Sequence, residues 1–364
     1  VLDPFATLPE QEEAKRLLRS ALAEGPAHAY LFHGPAGVGK RAAALAFAGA
    51  LLGDRERVAR LVHPDLYRLE PVGDQIRIGE IRALRHDLHL RPFESERRVY
   101  VIESAELMND EAADALLKDL EEPPPYAVLV LVADQLAPLQ PTIRSRCQLV
   151  PFRRLSERAM RDELERRGGE WSESERRALA RVAGGRLDRL ERLLDPGAAE
   201  RRRRLLEVAR DLYRDPELKP ELAARMLVEA IEERGEQERA RAQERLADSA
   251  LPKRELELYL RRSQRGAERE ELFAMLEELA SWYRDLVASA VGAGTALVHV
   301  DRAEELRQDA TRERLASASE AAELVRATRR RLAEFNANSA LALEALLIRL
   351  QALFGGVEAA EALP

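Results

Sequence analysis

The 364-residue sequence contains a single cysteine, which cannot close an internal disulfide or build a multi-thiolate metal site. A disulfide-stapled secreted scaffold and a cysteine-based zinc knuckle are excluded, and a reducing cytoplasm is the expected compartment. No run of about 18 apolar residues occurs, and Val1 to Glu10 lack a basic segment leading into an apolar one. Neither a membrane span nor a secretory leader is expected. Lysine is also scarce: only Lys15, Lys40, Lys118, Lys219 and Lys253 stand among the 58 basic residues, leaving 53 arginines. Such a bias is cheaply explained by base composition, so a single arginine carries little functional weight without a motif around it. The net charge of −7 argues against a stand-alone DNA binder, which needs a concentrated basic surface.

At 46% hydrophobic, 34% charged and 5% aromatic residues, the chain reads as globular and helix-rich, and its length suits two or three domains. The first 150 or so residues alternate apolar β-type runs with helical patterns. Strands are expected at 29–33, 65–70, 98–103, 127–133 and 148–152, and helices at 40–52, 78–89 and 109–121, the last closed by Pro123-Pro124-Pro125. That alternation predicts a doubly wound, mainly parallel α/β sheet. From Ser156 the pattern turns helical, with helices at 156–167, 172–183 and 186–194; Ser172 and Glu175 form a capping box at the second. Asp195-Pro196-Gly197 is the clearest linker signal. The expected domains are therefore an α/β P-loop domain at 1–155, a three-helix lid at 156–196, an all-α collar at 197–356 and a tail at 357–364. The dense charge of 232–245 is expected to be a solvated helical face with i,i+4 pairs.

Gly34-Pro-Ala-Gly-Val-Gly-Lys40 lies between a predicted strand and a predicted helix, the context of a phosphate-binding loop. Backbone N–H groups around Gly34, Gly37 and Gly39 would face phosphates and Lys40 would reach their terminal oxygens. The next position should carry a hydroxyl that ligates Mg²⁺, but it is Arg41, which has no acceptor atom and repels a cation. At the end of the 98–103 strand, Glu103 keeps one carboxylate of the expected acidic pair, while Ser104 fills the second place and is too weak a base to replace it. Glu106 is expected on an exposed turn. No cofactor is required on this reading, weak ATP or ADP binding is left open, and hydrolysis is not expected.

The runs 28–40 and 76–82, Ala112-Ala-Asp-Ala-Leu-Leu-Lys-Asp-Leu-Glu-Glu-Pro-Pro124, Pro141-Thr-Ile-Arg-Ser-Arg-Cys147 and 336–344 resemble the bacterial clamp-loader subunits of the AAA+ class. The resemblance covers the P-loop region well, the lid loosely and the collar chiefly at its end. It implies a five-subunit ring, with motor gamma/tau and delta subunits as partners, that loads a sliding clamp onto primed DNA during replication, with no membrane involved. It also implies a non-hydrolysing place in that ring, with Arg146 presented in trans to the ATP of a neighbouring motor subunit. Catalysis is then expected of the polymerase holoenzyme and not of the isolated chain. Arg144 is the nearest competitor for that role, and a purely structural Arg146, paired with a carboxylate in its turn, is the plain alternative. An active motor ATPase is the alternative for the whole chain, and Arg41 and Ser104 weigh against it. An adaptor unrelated to replication is a further reading, disfavoured because the 112–124 and 141–147 segments occur together mainly in clamp loaders.

Many relatives carry a four-cysteine zinc module after the P-loop helix, but 52–62 holds no cysteine, and His63 reads as part of a turn; zinc is not expected. Asp134-Gln135 stand where a γ-phosphate-sensing Ser, Thr or Asn would be expected. Arg186 and Arg189 of the lid read as surface charges in preference to nucleotide contacts, and Cys147 as a small hydrophobe beneath the arginine turn.

Overall fold

The computed structural model describes residues 3–71, 75–195, 197–246, 253–334 and 338–355. By internal packing the chain divides into two units, one of residues 1–169 with 183–190, the other of residues 170–182 with 191–364.

The first unit is built on five strands: β1 (Ala29–His33), β2 (Leu66–Leu69), β3 (Arg98–Ile102), β4 (Ala127–Ala133) and β5 (Gln148–Pro151). They form one sheet in the order β2-β3-β4-β1-β5, with every pairing parallel. A parallel sheet covered on both faces needs strands that are apolar throughout. Val128 to Val132 meet that need: Val128, Val130 and Val132 face one core with Tyr30, Phe32, Val99 and Val101, while Leu129 and Leu131 face the other with Leu31, Tyr100 and Ile102. The helices of this unit are α1 (Glu12–Glu24), α2 (Lys40–Leu52), α3 (Arg55–Ala59), α4 (Ile78–Leu88), α5 (Asp110–Glu121), α6 (Pro141–Arg144) and α7 (Glu157–Arg167). Helix α1 buries Ala14, Leu18 and Ala21 against the first core, and α4 and α5 bury Ile81, Leu84, Leu116 and Leu120 in the second. Asn109 caps α5, its side chain accepting from the Ala112 N–H at 3.0 Å. That starts the helix where the sequence pattern places it.

Helices α8 (Glu173–Ala183) and α9 (Leu187–Leu193) follow, and the division between units passes through this stretch. The capping box forms: Ser172 N–H donates to Glu175 Oε2 at 2.8 Å and Glu175 N–H to Ser172 Oγ at 3.3 Å.

Among its described residues the second unit is helical, with α10 (Ala198–Arg214), α11 (Pro220–Arg245), α12 (Lys253–Ala290), α13 (Ala303–Asp309), α14 (Arg314–Glu334) and α15 (Ser339–Phe354). Leu206, Leu227, Leu276, Trp282, Tyr283, Val325 and Leu347 belong to its single core. The expected solvated face at 232–245, with an i,i+4 pair between Arg234 and Glu238 at 3.7 Å, is found in part, and it is also tied inward. Glu232, Glu233 and Glu236 are exposed, but Arg234 and Arg241 bind Asp195 at 3.1 and 3.2 Å, and Arg239 binds Glu257 of α12 at 2.9 Å. These arginines tie the helix to other elements of its own unit and thereby anchor Asp195 of the expected linker; Pro196 lies outside the described residues, as do Asn336, Ala337, 247–252 and the 357–364 tail.

Candidate nucleotide site and the Arg146 turn

The turn from β1 into α2 has the glycine-dependent shape its sequence requires. Gly34, Gly37 and Gly39 have φ of 139°, 71° and 96°, where side chains are strained. A Cβ on Gly34 would lie 2.1 Å from the Phe152 carbonyl oxygen, and one on Gly37 would lie 1.7 Å from Asp188 Oδ1. The loop is thus held from outside by backbone and by a carboxylate. Leu187 N–H also donates to the Gly37 carbonyl at 2.6 Å.

Lys40 stands at the start of α2 with its side chain 3% exposed. Its ammonium donates to the Gly34 and Pro35 carbonyls at 2.7 and 2.5 Å and pairs with Asp134 Oδ1 at 2.8 Å. An ammonium has three N–H donors, and these three partners account for all of them. Asp134 reaches the site by register: β1 and β4 are neighbours with His33 opposite Ala133, so the residues after each strand emerge side by side. The residue at the sensor position is therefore the counter-ion of the loop lysine.

The second half of the site is closed in the same way. Arg41 Nε lies 3.2 Å from Glu103 Oε1, and Arg68 Nε donates to the same oxygen at 2.5 Å. Arg68 also pairs with Glu70, which lies 3.9 Å from Arg41 Nη1. Pairing of Leu69 with Ile102 aligns the ends of β2 and β3, bringing Glu70 and Glu103 together against two guanidiniums. A carboxylate shared by two arginines offers a poor ligand to Mg²⁺. Ser104 follows at φ 50° and ψ 48°, left-handed backbone at the place where the second carboxylate is missing.

Glu106 corrects an expectation: it is half-buried, and its Oε1 accepts from the Asp134 N–H at 3.0 Å. Burial raises its pKa, with the nearby Asp134 charge adding to the effect and hydrogen bonds from backbone N–H groups opposing it. His33, at the end of β1, is shifted down by burial and by the Lys40 and Arg144 charges. Of the two lid arginines, Arg186 pairs with Asp188 at 2.7 Å, and the Arg189 backbone N–H donates to the same side chain at 2.8 Å. Burial would raise the Asp188 pKa, but the Arg186 contact outweighs it and holds the carboxyl below its usual range. His63 Nδ1 accepts from the Asp65 N–H at 3.1 Å, which makes it part of the turn before β2.

Arg146 lies just beyond α6, away from the loop contacts just described. Its Nη1 donates to the Thr142 carbonyl at 2.9 Å, and its Nη2 bonds to the Glu121 carboxylate. The side chain is one-third exposed. Cys147 packs beneath this turn against the second core, and burial pushes its thiol up to about 12. Sequence reasoning missed Glu121, Asp134 and Asp188 as partners. The first two became visible only when α5 met α6 and when β1 met β4.

A five-stranded parallel sheet with a strand–glycine loop–helix turn and a helical carboxy-terminal region defines an α/β P-loop fold with a helical extension. The family model for "DNA polymerase III, delta subunit" matches residues 10–156, and that for "DNA polymerase III, delta subunit, C terminal" matches 260–352. A DNA polymerase III subunit delta' of Bacillus subtilis is 38% identical over 41% of this chain, and one of Pseudomonas aeruginosa is 36% identical over 56%. The aligned parts span 49% and 65% of those relatives, less than two-thirds of either. A solved gamma subunit-related protein of Thermotoga maritima covers 94% of this chain and 99% of its own at 20% identity and a TM-score of 0.48. Over these segments, 10–156 and 260–352, the chain is similar to the delta and delta' subunits of DNA polymerase III.

Proposed function

We propose that this chain is a non-hydrolysing subunit of a bacterial clamp loader, acting in the cytoplasm in DNA replication. In a five-subunit ring with motor gamma/tau and delta subunits, it would help load the sliding clamp onto primed DNA. Clamp and DNA would be met through the assembled ring, consistent with a net charge of −7 on this chain. The observation that carries the reading is the engagement of Lys40: its ammonium is held by Gly34, Pro35 and Asp134, so a phosphate would have to displace Asp134 to reach it. Arg41 and Glu103 bind each other where a hydroxyl and a carboxylate would hold the metal. A working motor would need both contacts broken and a second acid in place of Ser104, which supports the non-hydrolysing reading over the motor one. No cofactor and no zinc are needed for this role, and any ATP or ADP held here would be bound weakly.

In the same assembly Arg146 supplies its guanidinium in trans to the ATP of a neighbouring motor subunit. A positive group delivered to the transferring γ-phosphoryl stabilises charge that develops there, an effect of about 10³–10⁵ in rate. The test is a loader reconstituted with motor subunits, delta, clamp and primed DNA. Arg146→Ala should still assemble but hydrolyse ATP far more slowly, whereas Lys40→Ala should change turnover much less. Wild-type turnover with Arg146→Ala would refute the assignment. Motor-like phosphate release by the isolated wild-type chain would refute the non-hydrolysing reading.

A further inference from the structure

The guanidinium of Arg146 is gripped on one side only. Its Nη1 donates to the Thr142 carbonyl at 2.9 Å and lies 3.5 Å from Ser145 Oγ, while its Nη2 bonds to Glu121. A guanidinium has five N–H donors in a rigid fork. These contacts use the two Nη1 donors and one on Nη2, leaving the Nε–H and the second Nη2–H of a one-third exposed side chain. Two adjacent donors on one edge of the fork match two oxygens of a phosphoryl group. Resting on the reading of Arg146 as a trans-acting arginine, we propose that Glu121 is its positioning residue, holding the guanidinium so that this edge faces the γ-phosphoryl of a neighbouring subunit's nucleotide.

Glu121 is the last residue of α5, and α6 supplies the Thr142 carbonyl, so two elements of one unit fix the fork from two directions. Both side chains are partly open to solvent, at 33% for Arg146 and 49% for Glu121. An ion pair so placed adds little to stability. Its effect is orientational: a long flexible arginine fixed before the reaction does not lose its rotamer freedom at the transition state.

The experiment uses the reconstituted loader with this chain at full length. Glu121→Gln keeps the side-chain shape and an acceptor oxygen but removes the charge. It should lower the ATPase kcat by about ten- to a hundredfold with KM for ATP and subunit stoichiometry unchanged; Glu121→Asp should lie between it and wild type. In an Arg146→Ala background Glu121→Gln should have no further effect. If Arg146→Ala alone leaves the rate unchanged, the trans-arginine reading itself falls. If Arg146→Ala slows the loader but Glu121→Gln leaves kcat unchanged or raised, or slows it equally without Arg146, the positioning role is overturned and the trans-arginine reading stands.

Discussion

Arg41 and Glu103 are bonded to each other, Nε to Oε1 at 3.2 Å. The residue in place of a Mg²⁺-ligating hydroxyl therefore pairs with the one carboxylate the acidic position retains. One departure in the sequence, Arg41, thus engages the residue that had kept its type. The pair is partly exposed, Arg41 at 52% and Glu103 at 13%, so little binding energy resides in it. Its effect is on charge: a guanidinium stands beside the carboxylate where a cation would otherwise be attracted.

Restoring the hydroxyl alone should therefore not restore a motor. In Arg41→Thr, Lys40 remains bound by Gly34, Pro35 and Asp134, and Ser104 still replaces the second acid. Phosphate release by the isolated variant should stay at the wild-type background. A rise to motor-like turnover would mean that Arg41 alone silences the site.

The loop glycines should differ sharply from a surface glycine that also has positive φ. Gly53 has φ 72° with nothing within 4 Å of a built Cβ, whereas at Gly34, φ 139°, the Cβ would sit 2.1 Å from the Phe152 carbonyl oxygen. Gly53→Ala should cost about 1–2 kcal/mol, the price of left-handed backbone. Gly34→Ala adds a collision with main chain that cannot rotate away, and about 3 kcal/mol or more is expected. Urea unfolding of the two variants, followed by far-UV circular dichroism, would show whether the costs separate.

The sheet was legible because strands buried on both faces must be apolar at every position, as Val128 to Val132 are. The phosphate loop was legible because its glycines serve local backbone geometry. What stayed hidden depends on pairing between distant segments. Asp134 becomes the partner of Lys40 only through the β1–β4 register, and Glu121 meets Arg146 across 25 residues. Glu106 looked exposed because nothing local reveals that the Asp134 N–H will cover it. The arginines at 234 and 241 looked solvated because their partner, Asp195, lies some 40 residues away.

Cys147 should be chemically quiet in the folded chain. Only the thiolate reacts rapidly, and burial pushes this thiol up to about 12. At pH 8 the thiolate fraction is then on the order of 10⁻⁴, about a thousandfold below that of a free cysteine. Iodoacetamide should label the protein at a free-cysteine rate only in denaturant, as read by mass spectrometry over time. Rapid native labelling would show the thiol to be open to solvent.

The second unit should carry a pH-dependent stability centred on His299. Its Nδ1 is 3.0 Å from Asp285 Oδ2, its Nε2 is 3.8 Å from Glu278 Oε1, and its ring packs edge-on to Trp282 at 5.6 Å. Burial and the Arg202 charge lower the His299 pKa, but Asp285 and Glu278 outweigh them and raise it above its ordinary 6.5. Burial likewise opposes ionisation of Asp285, yet its bonds to His299 and Arg284 hold its pKa below the usual 3.8. A histidine with a raised folded pKa contributes stability that is full below about 6.5 and lost as pH climbs through the folded value. The carboxylate contributes above about 3.8 and loses its share as pH falls through its own folded value. The pair is therefore worth most between about pH 4 and 6.5. His299→Gln should cost about 3 kcal/mol there, as expected when one partner of a buried pair is removed, and less at pH 9. Unfolding monitored by Trp282 fluorescence in a Trp171→Phe background would report on this unit, and an equal cost at pH 5.5 and pH 9 would show that His299 is neutral in the folded chain.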